Sequence, residues 1–330
     1  MRGPAFIATL LLGYALPAAA QDPPHLFQLP VDCDMTSVCS IQLYVDMDPT
    51  DEYSDHMCGH LSYDGHNGTD IRVRHLADMR TGIPVVAAAP GVVVGVRDGM
   101  DDISVSEIGL DALNGRHAGN GVGIDHGDGW FTQYSHLRKG SVSVTKGDRV
   151  SAGDQLGLIG LSGKSNFPHV DFEVRFRRKP VNPFVGLVDE FRCNTEHQPL
   201  WTEDALAAMP YREAWLLSAG FADEAVQIEK IRQGDYDLAK LPEDTAVLSF
   251  WFHYGNVVAG DKYLLTIYAP DGSTLLQNID LVERTQYIFY AFAGLRRPSE
   301  GWPVGTYRGT LSVSRDGREV LSAERTITVQ

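Results

Sequence analysis

Histidine and aspartate occur together in two short segments, at spacings that suit metal binding. His66 and Asp70 lie four residues apart around Gly68, so a turn can direct both side chains to one point. An imidazole nitrogen and a carboxylate oxygen are common ligands of zinc. A plain turn explains the same residues, and Asn67-Gly68-Thr69 also matches a glycosylation sequon. The segment by itself therefore leaves its role open.

The second segment, residues 168–174, has the alternation of a β-strand. His169, Asp171 and Glu173 fall on one face of such a strand, because residues two apart point to the same side. The other face is apolar, as a face turned to a core requires: Val170, Phe172 and Val174. Two side chains that can bind a metal or transfer a proton would thus project together from a rigid element.

A third histidine, His136, ends the strand-like run Gln133-Tyr134-Ser135. The remaining eight histidines have no patterned neighbours. We interpret them as surface residues or as histidines with satisfied hydrogen bonds: His25, His56, His60, His75, His117, His126, His197 and His253.

The elements that position these residues are predicted to be short strands. Between residues 61 and 194, apolar runs alternate with glycine turns such as Asp98-Gly99 and Asp128-Gly129. No long 3.6-residue apolar period occurs, which predicts an all-β domain. Residues 97–118 are polar and are predicted to form an insertion loop, and residues 21–60 an extended N-terminal arm.

Residues 195–330 are predicted to form a second unit with a short helical lead-in. Strand-like runs begin again at Thr245, and hairpin turns are predicted at Pro270-Asp271-Gly272 and Arg315-Asp316-Gly317. About six or seven short strands at this spacing are typical of an immunoglobulin-like β-sandwich.

The first 20 residues have the order of a secretory signal peptide. A basic start at Arg2 precedes an apolar run to Leu16, and small residues follow up to Ala20. No later segment is apolar enough over about 18 residues to span a membrane. We therefore expect a secreted or periplasmic protein without membrane insertion after signal removal.

The cysteine count agrees with an oxidising compartment. The chain has 4 cysteines, which allow three pairings if all form disulfides. We favour Cys33–Cys39, which closes a short local loop, and Cys58–Cys193, which would join the two ends of one domain.

The charge of the chain excludes some classes of partner. Lys and Arg total 28 against 43 Asp and Glu, a net charge of −15. This balance disfavours binding to nucleic acid, which depends on neutralising phosphates, and docking on an anionic membrane.

Taken together, the motifs resemble the lysostaphin/LytM-type zinc metallopeptidases, which have the duplicated hybrid motif β fold. The resemblance runs from about Tyr63 to Phe184 and depends on both the order and the spacing of its segments. These are residues 64–71, 85–93, 119–129, 134–137, 146–150, 159–163 and 168–174.

The resemblance implies a role for each residue of the site. His66 and Asp70 correspond to two zinc ligands, and His136 and His169 to catalytic histidines. The third zinc ligand of the family is a histidine, and Asp171 stands in its place here. Zn²⁺ with two carboxylates and one imidazole has a net charge of zero instead of +1, so it acidifies a bound water less. Oxygen ligands also shift the preference towards other divalent metals.

The resemblance implies an exported metalloendopeptidase that hydrolyses peptide bonds of peptidoglycan with a metal-activated water. The alternative is a weakly active or inactive regulator that binds and activates other cell-wall hydrolases, and Asp171 makes this alternative worth keeping. A wall-binding module is a third interpretation. It is less favoured because the aromatic residues of the second unit fall mostly within strands.

Overall fold

The computed structural model describes residues 26–193 and 195–330. The predicted signal peptide lies outside these residues. Strands dominate the first part of the chain: β1 (Cys39–Leu43), β2 (Gly68–Val73), β3 (Pro84–Val86), β4 (Gly91–Arg97), β5 (Asn120–Gly127), β6 (Trp130–Leu137), β7 (Arg149–Val150), β8 (Gln155–Leu158), β9 (His169–Phe176) and β10 (Lys179–Val181). Its helical segments are short: α1 (Leu76–Thr81), α2 (Val105–Ile108) and a 3-10 helix at Leu110–Leu113.

Strands continue through the second part of the chain: β11 (Trp215–Ala222), β12 (Lys240–Leu241), β13 (Val247–Val257), β14 (Lys262–Tyr268), β15 (Thr274–Leu281), β16 (Gln286–Arg296), β17 (Gly305–Arg315) and β18 (Arg318–Val329). Its helices are α3 (Glu203–Ala208) and α4 (Ile228–Gln233). The all-β class predicted from the sequence is therefore confirmed. No helix among the described residues has both the length and the apolar character needed to cross a membrane.

The largest sheet is built around β9. Its strand order is β1-β2-β9-β6-β5-β4-β7, with β10 also paired to β9, and β3 and β8 form a separate two-stranded sheet. Val170, Phe172 and Val174 of β9 are fully buried in the first hydrophobic core. The predicted alternation of β9 is thus confirmed, and its opposite face is left to carry polar side chains.

Residues before Gly68 contribute to this sheet and its core. β1 pairs antiparallel with β2, and Phe27, Val31 and Met35 are buried. Phe27 also forms an isolated parallel bridge with Trp201. The segment predicted as an extended arm therefore supplies one strand and several core side chains.

Both favoured disulfides are present in the structure. Cys33 pairs with Cys39, and Cys58 pairs with Cys193 across 135 residues. The second disulfide joins segments at the two ends of the first part of the chain, so the predicted connectivity is confirmed.

Two sheets enclose a second hydrophobic core. One has the order β11-β13-β16 and the other β12-β18-β17-β14-β15. Phe250, Phe252 and Tyr254 of β13 point into this core. The intervening Trp251 belongs to a small cluster with Tyr236, near α4. The immunoglobulin-like topology stays a prediction.

The two parts of the chain contact each other beside the polar face of β2 and β9. The Tyr287 hydroxyl of β16 donates a hydrogen bond to the Ser62 carbonyl at 2.7 Å. Arg80, in α1, donates to the side chain of Gln233, at the end of α4. The second part thus adjoins the segment that leads into His66.

Candidate metal centre

Two aspartates face each other across the β2–β9 pair. Asp70 and Asp171 are direct register partners in this antiparallel pairing. Directly opposed like charges destabilise a sheet unless something compensates them. The Oδ1 atom of Asp171 is buried and has no hydrogen-bond partner among the described residues. Two opposed carboxylates, one with an unpartnered buried oxygen, are an arrangement that a cation would stabilise.

His66 lies in the turn before β2 and is held by a backbone carbonyl. Its Nδ1 donates to the Tyr44 carbonyl at 2.8 Å, which fixes the proton on that nitrogen. Nε2 consequently faces Asp70 Oδ1 at 3.2 Å. A histidine ligand oriented through its other ring nitrogen is the usual arrangement around protein-bound metals.

His66, Asp70 and Asp171 together form a candidate metal centre. Their ligand atoms all lie within 4.8 Å of one another. The set contains one imidazole and two carboxylates, which suits zinc and also harder divalent ions. The unpartnered Asp171 oxygen therefore fits the ligand role that the resemblance implies.

His136 enters the site from a strained position near the end of β6. Its φ of +63° lies in the left-handed region, which is uncommon for non-glycine residues. Its Nδ1 donates to the Ser162 carbonyl at 2.6 Å. Nε2 is thus left without the proton and can accept one.

His169, at the start of β9, is oriented like His136, with Nδ1 bonded to a backbone carbonyl. Its Nδ1 donates to the Phe167 carbonyl at 2.8 Å, and its Nε2 lies 3.5 Å from Asp70 Oδ1. The His169 and His136 rings are 4.7 Å apart between centroids. The two imidazoles therefore lie side by side next to the candidate metal centre.

Both of these histidines are held neutral. Burial and, to a lesser extent, the neighbouring His169 lower the pKa of His136 to about 3. Burial also lowers the pKa of His169, although the Asp70 carboxylate opposes the shift. At neutral pH both rings are therefore proton acceptors.

The three candidate ligands have strongly shifted pKa values. Burial raises the pKa of Asp171 to about 7, and repulsion from Asp70 contributes to the shift. Burial would lower the pKa of His66, but Asp70 outweighs this effect and the pKa rises to about 9. Burial would raise the pKa of Asp70, but His66 and His169 hold it at about 2. Without metal, the protonated His66 and the ionised Asp70 therefore form an ion pair.

The structure brings all five predicted site residues together, and it adds one residue that sequence reasoning missed. A Cβ at Gly68 would overlap Asp171 Oδ1, so only glycine leaves room for that carboxylate. The partners of the histidine Nδ1 atoms were also missed, because most of them are backbone carbonyls, which carry no side-chain signal; the Ser165 hydroxyl is a further partner of His169. The ring of Tyr63 stacks on that of His66, with 4.4 Å between the ring centroids, and Tyr63 is exposed on one side of the candidate site.

Comparisons with known proteins concern this same part of the chain. Residues 64–183 match the model of peptidase family M23. Over 117 residues, 36% of this chain and 22% of the relative, the chain is 38% identical to the peptidoglycan DD-endopeptidase ShyA of Vibrio cholerae. Over 83 residues, 24% of this chain and 19% of the relative, it is 36% identical to the DD-carboxypeptidase/endopeptidase Mpg of Neisseria meningitidis.

A solved structure of a zinc-containing peptidase from Vibrio cholerae is also similar to part of this chain. The identity is 26%, over 45% of this chain and 40% of that one, with a TM-score of 0.28. The match to this chain spans about a fifth of the length of the two curated relatives. Residues 64–183, about a third of the chain, are therefore similar to peptidase family M23, in agreement with the LytM-type motifs of the sequence.

Proposed function

We propose that the protein is an exported metalloendopeptidase that hydrolyses peptide bonds of peptidoglycan. The observation that carries the proposal is the group of three ligands, His66, Asp70 and Asp171, beside two neutral histidines in a peptidase M23 domain. The names of the relatives, which include a peptidoglycan endopeptidase, support the substrate class. The acting unit would be residues 61–194, followed by the β-sandwich of residues 195–330.

His66, Asp70 and Asp171 would hold one divalent cation, either Zn²⁺ or a harder metal. When bound, such an ion supplies an acidified water and polarises the carbonyl of a peptide bond. The carbonyls of Tyr44 and Phe167 keep the Nε2 atoms of His66 and His169 directed to the site.

His136 and His169 would serve as the catalytic histidines. Each ring is neutral and presents Nε2, so either can take the proton of the attacking water. Once protonated, the same ring can donate a hydrogen bond to the developing oxyanion or to the leaving amine. Their positions on β6 and β9 of one sheet fix the distance between them.

Export is part of the proposal. The signal-like order of residues 1–20 and the two disulfides support a secreted or periplasmic location.

Three proteins test the proposal: wild type, His66→Ala and His169→Ala. We expect about one divalent ion per wild-type chain, together with release of peptides from purified peptidoglycan. His66→Ala should lose both the metal and the activity. His169→Ala should keep the metal and lose about 100-fold or more in rate, as expected for removal of a general base. Metal-bound wild type that leaves peptidoglycan intact would count against the proposal.

The second candidate function is a regulator that binds and activates another cell-wall hydrolase. The observation in its favour is Asp171, which makes the site less positive and has a pKa of about 7 without metal. Metal-free wild type that stimulates a separate hydrolase, together with zinc binding only after Asp171→His, would favour this candidate. Metal in the wild type would count against it.

A further inference from the structure

A buried histidine outside the candidate metal centre lacks hydrogen bonds. His253 lies on β13 with 5% of its surface exposed, and its Nδ1 is buried without a partner. No described residue forms a hydrogen bond with either of its ring nitrogens. The interpretation of His253 from the sequence as a surface or satisfied histidine is therefore wrong. An unpartnered buried imidazole is costly unless it meets a ligand.

His253 lines an open cavity formed by residues of the second part of the chain. The cavity has a volume of about 380 Å³. Arg232 contributes from α4, Arg284 from the turn before β16, and Tyr290 from β16. In the β13–β16 pairing, Tyr290 is the direct partner of His253, so their side chains share one face of the sheet.

The cavity concentrates positive charge in an acidic protein. The net charge of the chain is −15, yet two arginines line this one cavity. Arg284 has no carboxylate partner among the described residues. Arg232 has only a 3.9 Å contact with Glu229, and both side chains are largely exposed. No aspartate or glutamate lines the cavity within the part of the chain that the structure describes.

Arg72, on β2, is a buried cation that acts electrostatically on His253. It is 6% exposed, and its hydrogen-bond acceptors are the Gln42 side chain and backbone carbonyls instead of a carboxylate. Burial lowers the pKa of His253 well below its usual value, and the charges of Arg72, His75 and Arg232 contribute to the shift. The two arginines therefore act on the same side chain, and the neutral His253 has a single N–H to donate.

Two sets of contacts connect the cavity with the candidate metal centre. Phe167 lies between Arg72, whose guanidinium is 4.9 Å from the ring centroid, and His169, whose ring stacks on it at 4.4 Å. On the other side, Tyr287 is flanked by cavity residues of β16 and bonds to the carbonyl of Ser62. Phe167 thus links Arg72 to the candidate metal centre, and β16 carries both cavity residues and the contact with Ser62.

We propose that the cavity lined by Arg232, His253 and Arg284 binds a carboxylate of the peptide whose backbone occupies the candidate metal centre. The two guanidinium groups would donate charge-assisted hydrogen bonds, and His253 would donate its single N–H. Tyr290 and the apolar residues beside it would contact the aliphatic part of the same group. This inference rests on the proposed function, and it assigns the second part of the chain a role in selecting acidic peptides.

The test measures peptide affinity in the full-length mature protein with its metal, in a His169→Ala background that prevents turnover. The probe is a synthetic peptidoglycan stem peptide with free carboxylates, compared by calorimetry with the same peptide as its amides. Arg284→Ala is the test variant, since Arg284 is exposed and its removal leaves the core intact. Arg296→Ala is the control, because this exposed arginine lies at the other end of β16, outside the cavity.

We expect Arg284→Ala to weaken binding of the acidic peptide about tenfold or more, as loss of a charge-assisted hydrogen bond does. Arg296→Ala should bind like its parent, and the amidated peptide should bind weakly to every variant. His253→Phe, which keeps the volume but removes the N–H, should give a loss of the same kind. Equal affinity of the two peptides, or of Arg284→Ala and Arg296→Ala, would overturn the inference.

Failure of the proposed function has a different result. Hydrolysis of peptidoglycan by the wild type is measured in parallel. Hydrolysis without any dependence on Arg284 or on the carboxylates overturns the cavity proposal and leaves the proposed function standing. Affinity that depends on Arg284, without hydrolysis by the metal-bound wild type, supports the carboxylate site and counts against the peptidase function.

Discussion

At the scale of residues, the site depends on two carboxylates that oppose each other. Asp70 and Asp171 are register partners, yet their protonation differs, because Asp70 has a histidine partner and Asp171 does not. The pKa of Asp70 is about 2 and that of Asp171 about 7. Proton binding and metal binding should therefore compete at Asp171 near neutral pH.

Metal affinity should rise with pH. Without metal, the pKa of Asp171 is about 7 and that of His66 is about 9. Both residues must be deprotonated to bind a metal, so an incoming ion displaces two protons below about pH 7 and one between about pH 7 and 9. We expect affinity to increase about tenfold per unit in the upper range and about 100-fold per unit below it.

Competition with a chelator between about pH 6 and pH 9 measures this dependence. Asp171→Asn is the matched control, since it cannot release a proton. Its affinity should be lower, and its slope below pH 7 should fall to about tenfold per unit. A slope that is the same in both proteins would show that Asp171 does not bind the ion.

Gly68→Ala should weaken metal binding without unfolding the protein. The added Cβ overlaps Asp171 Oδ1, so the carboxylate must turn away from the site. We expect a loss of at least about tenfold in metal affinity, the lower end seen when the support of a metal ligand is disturbed. Gly95→Ala is the control, because a Cβ there meets nothing within 4 Å. Equal metal content in the two variants would contradict the prediction.

At the scale of elements, the alternation of β9 places core residues on one face and candidate site residues on the other. Its buried side chains fill the core, while His169 and Asp171 face the site from the opposite side. A slip of one residue in its pairing with β2 would exchange the two faces. The Cys58–Cys193 disulfide connects the segment before β2 with the segment after β10, and so limits the movement of both.

Loss of the Cys58–Cys193 disulfide should destabilise the protein more than loss of Cys33–Cys39. The first spans 135 residues and the second only 6. Closing a longer loop removes more entropy from the unfolded chain, so Cys58→Ser/Cys193→Ser should lower the free energy of unfolding by about 2–5 kcal/mol. Denaturant unfolding under non-reducing conditions compares it with Cys33→Ser/Cys39→Ser, which serves as the control. An equal loss in both would contradict the entropic reason.

At the scale of the whole molecule, two hydrophobic cores meet beside the candidate site. The first contains β9 and the N-terminal residues from Phe27 onward, and the second lies between the two C-terminal sheets. Tyr287 packs against the first core although it belongs to β16. The second part of the chain therefore contributes to the packing beside the candidate site, and experiments on stability and binding should use both parts.

Zinc should stabilise the folded protein against heat. An ion that binds only the native state at about 100 times its Kd adds about 2.7 kcal/mol to the free energy of unfolding. We expect a higher Tm with zinc in the wild type and no change in His66→Ala or Asp171→Ala. Differential scanning calorimetry measures the shift. Asp64→Asn is the control, because this exposed carboxylate is not in the ligand group and should leave the shift intact.

The sequence by itself predicted the all-β class and favoured one disulfide pairing, and the resemblance of its motifs to a known family indicated the residues of the candidate site. Strand alternation and short motifs are local properties: His169, Asp171 and the apolar residues between them share one short segment. The departure at Asp171 was also visible there, since it needs only a comparison of residue types.

Only the tertiary structure decided how those residues meet. The opposition of Asp70 to Asp171 depends on a strand register between residues 101 positions apart in the chain, and the space at Gly68 depends on the same pairing. The shifted pKa values follow from burial, which a sequence does not specify. His253 looked unremarkable because its cavity is assembled from α4, β13 and the β16 region, and no local pattern records which distant side chains share a space.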